Sequence, residues 1–412
     1  MHLTSEQIAI FFLSVGIMLL SARLFGELFL RLKFAPIIGE ILAGVILGPT
    51  VLGSIFPSGY DWLFPPDNVK IALDGIINIS IILLLLITGI EVDLSIVISQ
   101  RKIAFFTSLM GILIPFLLGF GFAYMFPDLM GIKTEDMRLV FALFMGTALS
   151  ISSLPVIAKT LMDLNLFKTK PGMIIISSAM INDVIGWLIF SVILGMMGSR
   201  EIGYELWEVI LFLAIFIFLA FFPGRRILNH LINLIQDKIS FPSGILNFIL
   251  IIGFFAAAFT EHIGVHGIIG AFILGIAIGD SGALKEETNR IIQQFILNIF
   301  APLFFVSIGL RINFITNFDI VIILIVIILA TAGKLIGSGI GAYLSGSNKS
   351  EALTIAFGLN ARGTMEIILG LLALQAGLIH QVVFVALVVM ALFTSLLSAP
   401  MIKYFLKGKI KL

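Results

Sequence analysis

The chain has 412 residues, of which 59% are hydrophobic and only 12% charged, with a formal net charge of +1. A soluble domain carries about 25% charged residues, so a soluble globular fold is excluded, and the near-neutral balance offers no basic surface for nucleic acid. The absence of cysteine excludes disulfides and thiolate metal centres.

Apolar runs long enough to cross a hydrocarbon core roughly 30 Å thick recur from end to end, which predicts an all-α polytopic membrane protein. Gly, Pro and charge clusters divide the chain into about thirteen transmembrane helices. They are placed near 7–30, 35–55, 71–91, 103–126, 137–162, 171–198, 203–222, 242–262, 265–280, 290–310, 318–345, 351–377 and 381–406. The first run follows only Met1-His2 and an acidic turn, without a basic leader segment, and reads as a span and not as a cleaved signal peptide. The inner segment 223–241 is too short to fold alone and the last span ends close to Leu412, so no soluble regulatory domain is expected. Regulation by a nucleotide-binding tail would then require a separate subunit.

Lys and Arg set the orientation. With the C-terminus cytoplasmic, the inner segments hold Arg31, Lys33, Arg101, Lys102, Lys159, Lys168, Lys170, Arg225, Arg226, Lys238, Lys285, Arg290, Lys349, Lys403, Lys407, Lys409 and Lys411. The outer ones hold only Lys70, Lys133, Arg138, Arg200 and Arg311. The N-terminus is accordingly expected outside.

Two spans carry helix-weakening residues in their middle. The fifth reads Gly146-Thr147-Ala148-Leu149-Ser150-Ile151-Ser152-Ser153-Leu154-Pro155, where proline removes a backbone donor and serines compete for backbone groups. The twelfth reads Gly358-Leu359-Asn360-Ala361-Arg362-Gly363-Thr364. Each is the fifth of a set of six, spans 1–6 and 8–13, with the seventh as a linker. Two six-helix repeats of opposite orientation, interrupted at matching positions, point to a transporter site.

Ionisable residues deep in apolar runs are few. Asp183 follows Asn182 at the centre of the sixth span, Lys334 lies in the eleventh, and Arg362 and Glu366 lie one turn apart in the twelfth. A charge at a helix centre costs about 2.5–3.5 kcal/mol, so these groups must pair or line a hydrated cavity. Arg362 and Glu366 can neutralise each other at i,i+4 spacing. Lys334 pairs with a carboxylate or caps the partial charges of an unwound segment. A buried carboxyl such as Asp183 can hold a proton or coordinate a dehydrated cation, and the two states exclude each other. Thr147, Ser150, Ser152 and Ser153, with Asn182, supply hard oxygen ligands beside it. Glu40, in the second span, either lines the pathway or bonds across helices. Glu27 and Glu261 lie nearer span ends and read as structural. His262 and His266 flank Gly264 without a further ligand, so no metal site beyond the transported ion is expected. Neither a nucleophile–base pair nor a cofactor fingerprint is present. The chain does not read as an enzyme, and no cofactor is expected.

Several segments together give the chain a likeness to a known family. Pro36 to Pro49, Gly89-Ile90-Glu91-Val92-Asp93, Ser150 to Pro155, Asn182-Asp183, Pro302 to Leu310 and Gly358 to Gly370 occur in that order. In these the chain resembles the monovalent cation:proton antiporter superfamily, the Na+/H+ exchanger-like membrane domain of its Nap- and Kef-type branch, over essentially its full length. The resemblance implies a homodimer in the cell inner (plasma) membrane, surrounded by lipid. It implies a core of spans 103–198 and 318–406 in which two broken helices cross near Asp183, and a dimerisation part of 7–91 and 203–310. It further implies elevator-type exchange of Na+ or K+ for H+. Electrogenic relatives have two aspartates where this chain has Asn182-Asp183, and a single exchangeable carboxylate favours electroneutral exchange unless Lys334 releases its proton in the cycle. The competing readings are a Kef-type gated K+ efflux pathway and a non-transporting membrane sensor of ions or pH.

Overall fold

A computed structural model describes residues 3–32, 35–66, 68–92, 101–131, 135–164, 166–167, 169–196, 206–238, 243–282 and 284–406. Asp93, Lys33, Lys133, Lys168, Arg200, Lys407, Lys409 and Lys411, used above, lie outside the described residues, as do the start of the expected 203–222 span and the end of 171–198.

The described residues are helical throughout their ordered elements. In chain order they form α1 (Ser5–Arg31), α2 (Pro36–Leu47), α3 (Asn68–Ile90), α4 (Arg101–Met125), α5 (Glu135–Ser150), α6 (Leu154–Asp163), α7 (Lys170–Met196) and α8 (Leu206–Leu219). These are followed by α9 (Arg225–Lys238), α10 (Ser243–His262), α11 (Gly267–Ser281), α12 (Glu286–Phe295) and α13 (Ala301–Arg311). The last four are α14 (Ile320–Leu344), α15 (Lys349–Leu359), α16 (Thr364–Gln375) and α17 (Gln381–Leu406). Among the described residues, ten helical stretches are long and apolar enough to cross a membrane, and the shorter apolar helices Met137–Ser150, Gly267–Ser281 and Met365–Gln375 accompany them.

Local chemistry explains where helices start and stop. Thr4 and Gln7 form a reciprocal capping box before α1, as do Asn348 and Glu351 before α15, while the Asp319 carboxylate accepts from the Val321 and Ile322 amides at the start of α14. α10 ends at a left-handed turn, with Gly264 at φ 89°, a conformation glycine adopts without steric cost. Proline marks both π turns. Ala220–Gly224 contains Pro223, and Ile296–Phe300 lies just before Pro302, whose missing N–H leaves the Asn298 carbonyl without its i+4 donor.

One expectation is corrected. The segment 223–241, read from its Pro, Gly and paired arginines as an inner loop, is helical from Arg225 to Lys238. Leu228, Ile232 and Gln236, four residues apart, form its buried stripe. Arg225 pairs with Asp280 at 3.0 Å. The two arginines are thus a charge step within continuous helix, not its end.

The chain divides into two compact units, each assembled from two separated stretches: Met1–Asp93 with Arg200–Thr316, and Leu94–Ser199 with Asn317–Leu412. Within the first, α2 and α13 approach so closely that a Cβ on Gly44 would collide with the Val306 carbonyl. Within the second, α4 and α14 do the same, where a Cβ on Gly337 would collide with the Met110 carbonyl. Such contact through small residues drives helix association where lipid removes the hydrophobic incentive. It also sets Lys334 of α14 directly against α4.

Candidate functional site

The second unit gathers most of the residues singled out from the sequence. The fifth and twelfth spans are both interrupted, at 151–153 between α5 and α6 and at 360–363 between α15 and α16. The two breaks bond to each other. Ser153 N–H donates to the Ala361 carbonyl at 3.0 Å, and Ser152 Oγ to the Leu359 carbonyl at 2.7 Å. Backbone groups freed by unwinding in one span are thereby satisfied by the other, as a low-dielectric interior requires.

The end of α5 is held by two cations. Lys334 Nζ donates to the Ser150 carbonyl, and Arg362 donates through Nη1 to the Ala148 carbonyl at 3.1 Å and through Nη2 to the Leu149 carbonyl. The last carbonyls of a helix carry the negative end of its macrodipole and lack intrahelical donors, so full positive charges are well placed there. Arg362 also donates to the Ala330 carbonyl at 3.3 Å and pairs with Glu366 at 2.6 Å. The Arg362 carbonyl in turn accepts from Ser395 Oγ of α17.

Asn182 joins this assembly through both ends of its amide. The nitrogen donates to the Ser178 carbonyl at 3.1 Å and to Ser108 Oγ at 2.6 Å, and the oxygen accepts from Lys334 Nζ at 2.9 Å. The Lys334 ammonium also donates to the Gly111 carbonyl at 3.0 Å. Its three N–H donors thus meet three acceptors: Gly111, Ser150 and Asn182.

Asp183 differs from its neighbours. Its side chain is buried, yet neither carboxylate oxygen has a hydrogen-bond partner among the described residues. The Leu154 amide, at the N-terminus of α6, and the Lys334 ammonium lie within electrostatic reach without meeting hydrogen-bond geometry. Leaving a buried polar group unpaired costs about 1–3 kcal/mol, more when it is charged. A proton or a bound cation on Asp183 removes much of that cost.

The expected hydroxyl ligands are placed unequally. Thr147 Oγ1 donates to the Leu143 carbonyl and Ser150 Oγ to the Thr147 carbonyl, both at 2.8 Å. Those protons are committed to their own helix, and the lone pairs stay available. Ser153 Oγ is buried without a partner among the described residues. Glu40 belongs to the first unit, on α2 beside Gly26 of α1. Glu27 lies between Arg23 and Arg31 at 3.6 and 3.8 Å, and Glu261 accepts from the Gly267 amide at 2.6 Å, capping the start of α11.

Ser108, Ser178, Gly111 and Ser395 were not anticipated. Single hydroxyls in apolar helices usually bond their own backbone, so nothing in their spacing set Ser108 or Ser395 apart. Gly111 and Ser178 act through carbonyls, which every residue carries.

Two unwound spans bonded to each other, with a buried carboxylate near the first that has no partner among the described residues, define a polytopic membrane protein of the broken-helix class. The family described as "Sodium/hydrogen exchanger, transmembrane" matches residues 13–408, and the chain belongs to that family. It is 30% identical over 405 residues to the Na(+)/H(+)-K(+) antiporter GerN of Bacillus cereus, covering 97% of each chain. It is 29% identical over 388 residues to the Na(+)/H(+) antiporter NhaS4 of Synechocystis, covering 92% of this chain and 93% of that one. The solved structure of the sodium proton antiporter MjNhaP1 from Methanocaldococcus jannaschii superposes over 98% of both chains, with a TM-score of 0.65 at 18% identity, and shares the fold.

Proposed function

We propose that the protein is a secondary antiporter that exchanges a monovalent cation, Na+ or K+, for H+, with Asp183 carrying each in turn. The observation that carries this reading is the Asp183 carboxyl, buried near the Leu154 amide at the first helix break with neither oxygen bonded to the protein among the described residues. Ionised, it offers a charged oxygen ligand to a dehydrated cation. Protonated, it has lost that charge and releases the ion. Because one site holds either cargo and not both, transport of one against the other follows from alternating access. The antiporter relatives named above support the same reading.

Charge counting favours one proton per cation. Arg362 and Glu366 neutralise each other, and Lys334 has all three donors engaged by neutral acceptors. Both cations therefore serve as fixed charges, and Asp183 is left as the single exchangeable group. Asn182 acts as a fixed amide that holds Lys334. A one-for-one exchange moves no net charge, so a membrane potential, worth about 2.3 kcal/mol per charge per 100 mV, does not drive it. The reading extends to a homodimer in the cell inner membrane with the N-terminus outside, whose second unit moves as an elevator.

The test is purified protein in vesicles with an internal pH dye, challenged with Na+, K+ and Li+ with and without an imposed potential. Cation-dependent, potential-insensitive proton movement is expected. Uncoupled ohmic K+ current would replace antiport by a gated pathway, and no response to any cation would reduce the protein to a sensor.

A further inference from the structure

Asn360 is a polar side chain in the second break that the mechanism above does not use. It stands between Leu359 and Ala361, whose carbonyls both bond the first break, at Ser152 Oγ and Ser153 N. Its side chain is completely buried, and neither its amide oxygen nor its amide nitrogen has a hydrogen-bond partner among the described residues. An asparagine kept to shape a helix end spends its side chain on nearby backbone, as a cap or an Asx turn. Asn360 does neither, although its own N–H bonds the Ala356 carbonyl at 3.1 Å.

Of the other buried groups without a partner among the described residues, Ser153 and Asp183 lie in the same neighbourhood. Ser153 Oγ faces the second break, since a Cβ built on Gly363 would come within 3.3 Å of it, and it too has no partner among the described residues. One atom of the Asn182 amide lies 3.4 Å from Ser152 Oγ, the hydroxyl that bonds Leu359, and Asp183 with its two unpartnered oxygens follows directly. Buried amides are seldom left without partners. Here the unpartnered amide, hydroxyl and carboxyl are all oxygen bearers, the set a hard cation takes up.

We infer that the Asn360 amide oxygen is a further ligand of the transported alkali cation and helps to set which cation the site prefers. The inference rests on the antiport reading and deepens it. An amide oxygen adds a strong dipole without adding charge. It therefore changes the size and number of the ion's oxygen shell while leaving the charge balance of the exchange untouched. Discrimination among alkali ions depends on those same properties of the shell.

The test compares Asn360→Ala and Asn360→Ser with wild type in two measurements: cation-dependent proton flux in vesicles, and the rise in melting temperature of detergent-solubilised protein on adding Na+, K+ or Li+. Loss of a ligand to a charged group is expected to weaken apparent affinity for the preferred cation about tenfold or more in Asn360→Ala. The Na+/K+ preference ratio should shift, and the cation-induced rise in melting temperature should shrink. Asn360→Ser, which restores a shorter oxygen, should recover part of both, and it carries the test if the alanine variant does not fold. A uniform loss of flux and melting temperature with affinity and ion ratio unchanged assigns Asn360 a purely structural role and overturns the inference alone. If wild type binds cations by the melting measurement but moves no protons, antiport fails while the ligand role is still decided by the shift. If wild type shows neither flux nor shift, both fall.

Discussion

The two helix breaks look alike in sequence position and differ in how their backbone is completed. At the first, the final carbonyls of α5 are taken by full positive charges, Lys334 on Ser150 and Arg362 on Ala148 and Leu149. At the second, the Leu359 carbonyl is taken by a serine hydroxyl, the Ala361 carbonyl by a backbone amide and the Arg362 carbonyl by Ser395. One break is a charged pole and the other a neutral joint. A pseudo-symmetric scaffold can thus present a polarised environment to a single carboxylate, which two identical breaks would not.

This contrast ranks the consequences of substitution. Asp183→Asn removes the carboxyl to which the exchange is assigned in the proposed function, and cation-dependent proton flux in vesicles should fall to background while the protein still melts cooperatively. Arg362→Met strikes the charged pole and strands Glu366, which is buried at 1% exposure. Breaking a buried pair in this way costs about 3–5 kcal/mol, visible as a large drop in melting temperature, and Arg362→Met with Glu366→Leu should recover part of it. Lys334→Met orphans the Ser150 and Gly111 carbonyls and the Asn182 oxygen. A loss of about 1.5–3 kcal/mol, the scale of one charge-assisted hydrogen bond, is expected by the same measurement. If wild-type exchange is instead potential-driven and Lys334→Met leaves stability intact but makes it potential-insensitive, Lys334 is a proton carrier and not a cap. Ser152→Ala removes the hydroxyl bond to the Leu359 carbonyl in the neutral joint and should cost about 1 kcal/mol. An effect as large as that of Arg362→Met would show the two breaks to be equivalent and dissolve the comparison.

Much of this was legible in the sequence, because the bilayer enforces simple rules. Spans follow from apolar length, and the interruptions follow from Pro155 with its serines and from Asn360 and Gly363. The Arg362–Glu366 pair follows from i,i+4 spacing. Arginines 225 and 226 misled, since paired charges end a membrane span but not necessarily a helix, and α9 continues as an amphipathic one. The partners of Lys334 were only half legible. A lysine seeking a carboxylate or a helix end reads the same in one dimension, and the choice of Ser150, Gly111 and Asn182 depends on how closely glycines let α14 approach α4. The roles of Thr147 and Ser150 were also blurred, because donation to their own helix leaves no trace in spacing.

The capping of α5 also has a consequence in time. Lys334 is 184 residues beyond Ser150, and Arg362 is 214 beyond Ala148. Synthesis delivers α5, α6 and α7 well before either cation exists. Until α14 to α16 emerge, the nascent first half holds a frayed helix end and a lone acidic group in lipid, and both must be tolerated by water or by assisting proteins. Contacts this distant in the chain form late and leave incomplete intermediates exposed. Completion of this cluster therefore waits for the C-terminal stretch of the second unit, and a ribosome stalled before Lys334 leaves behind a recognisably unfinished product.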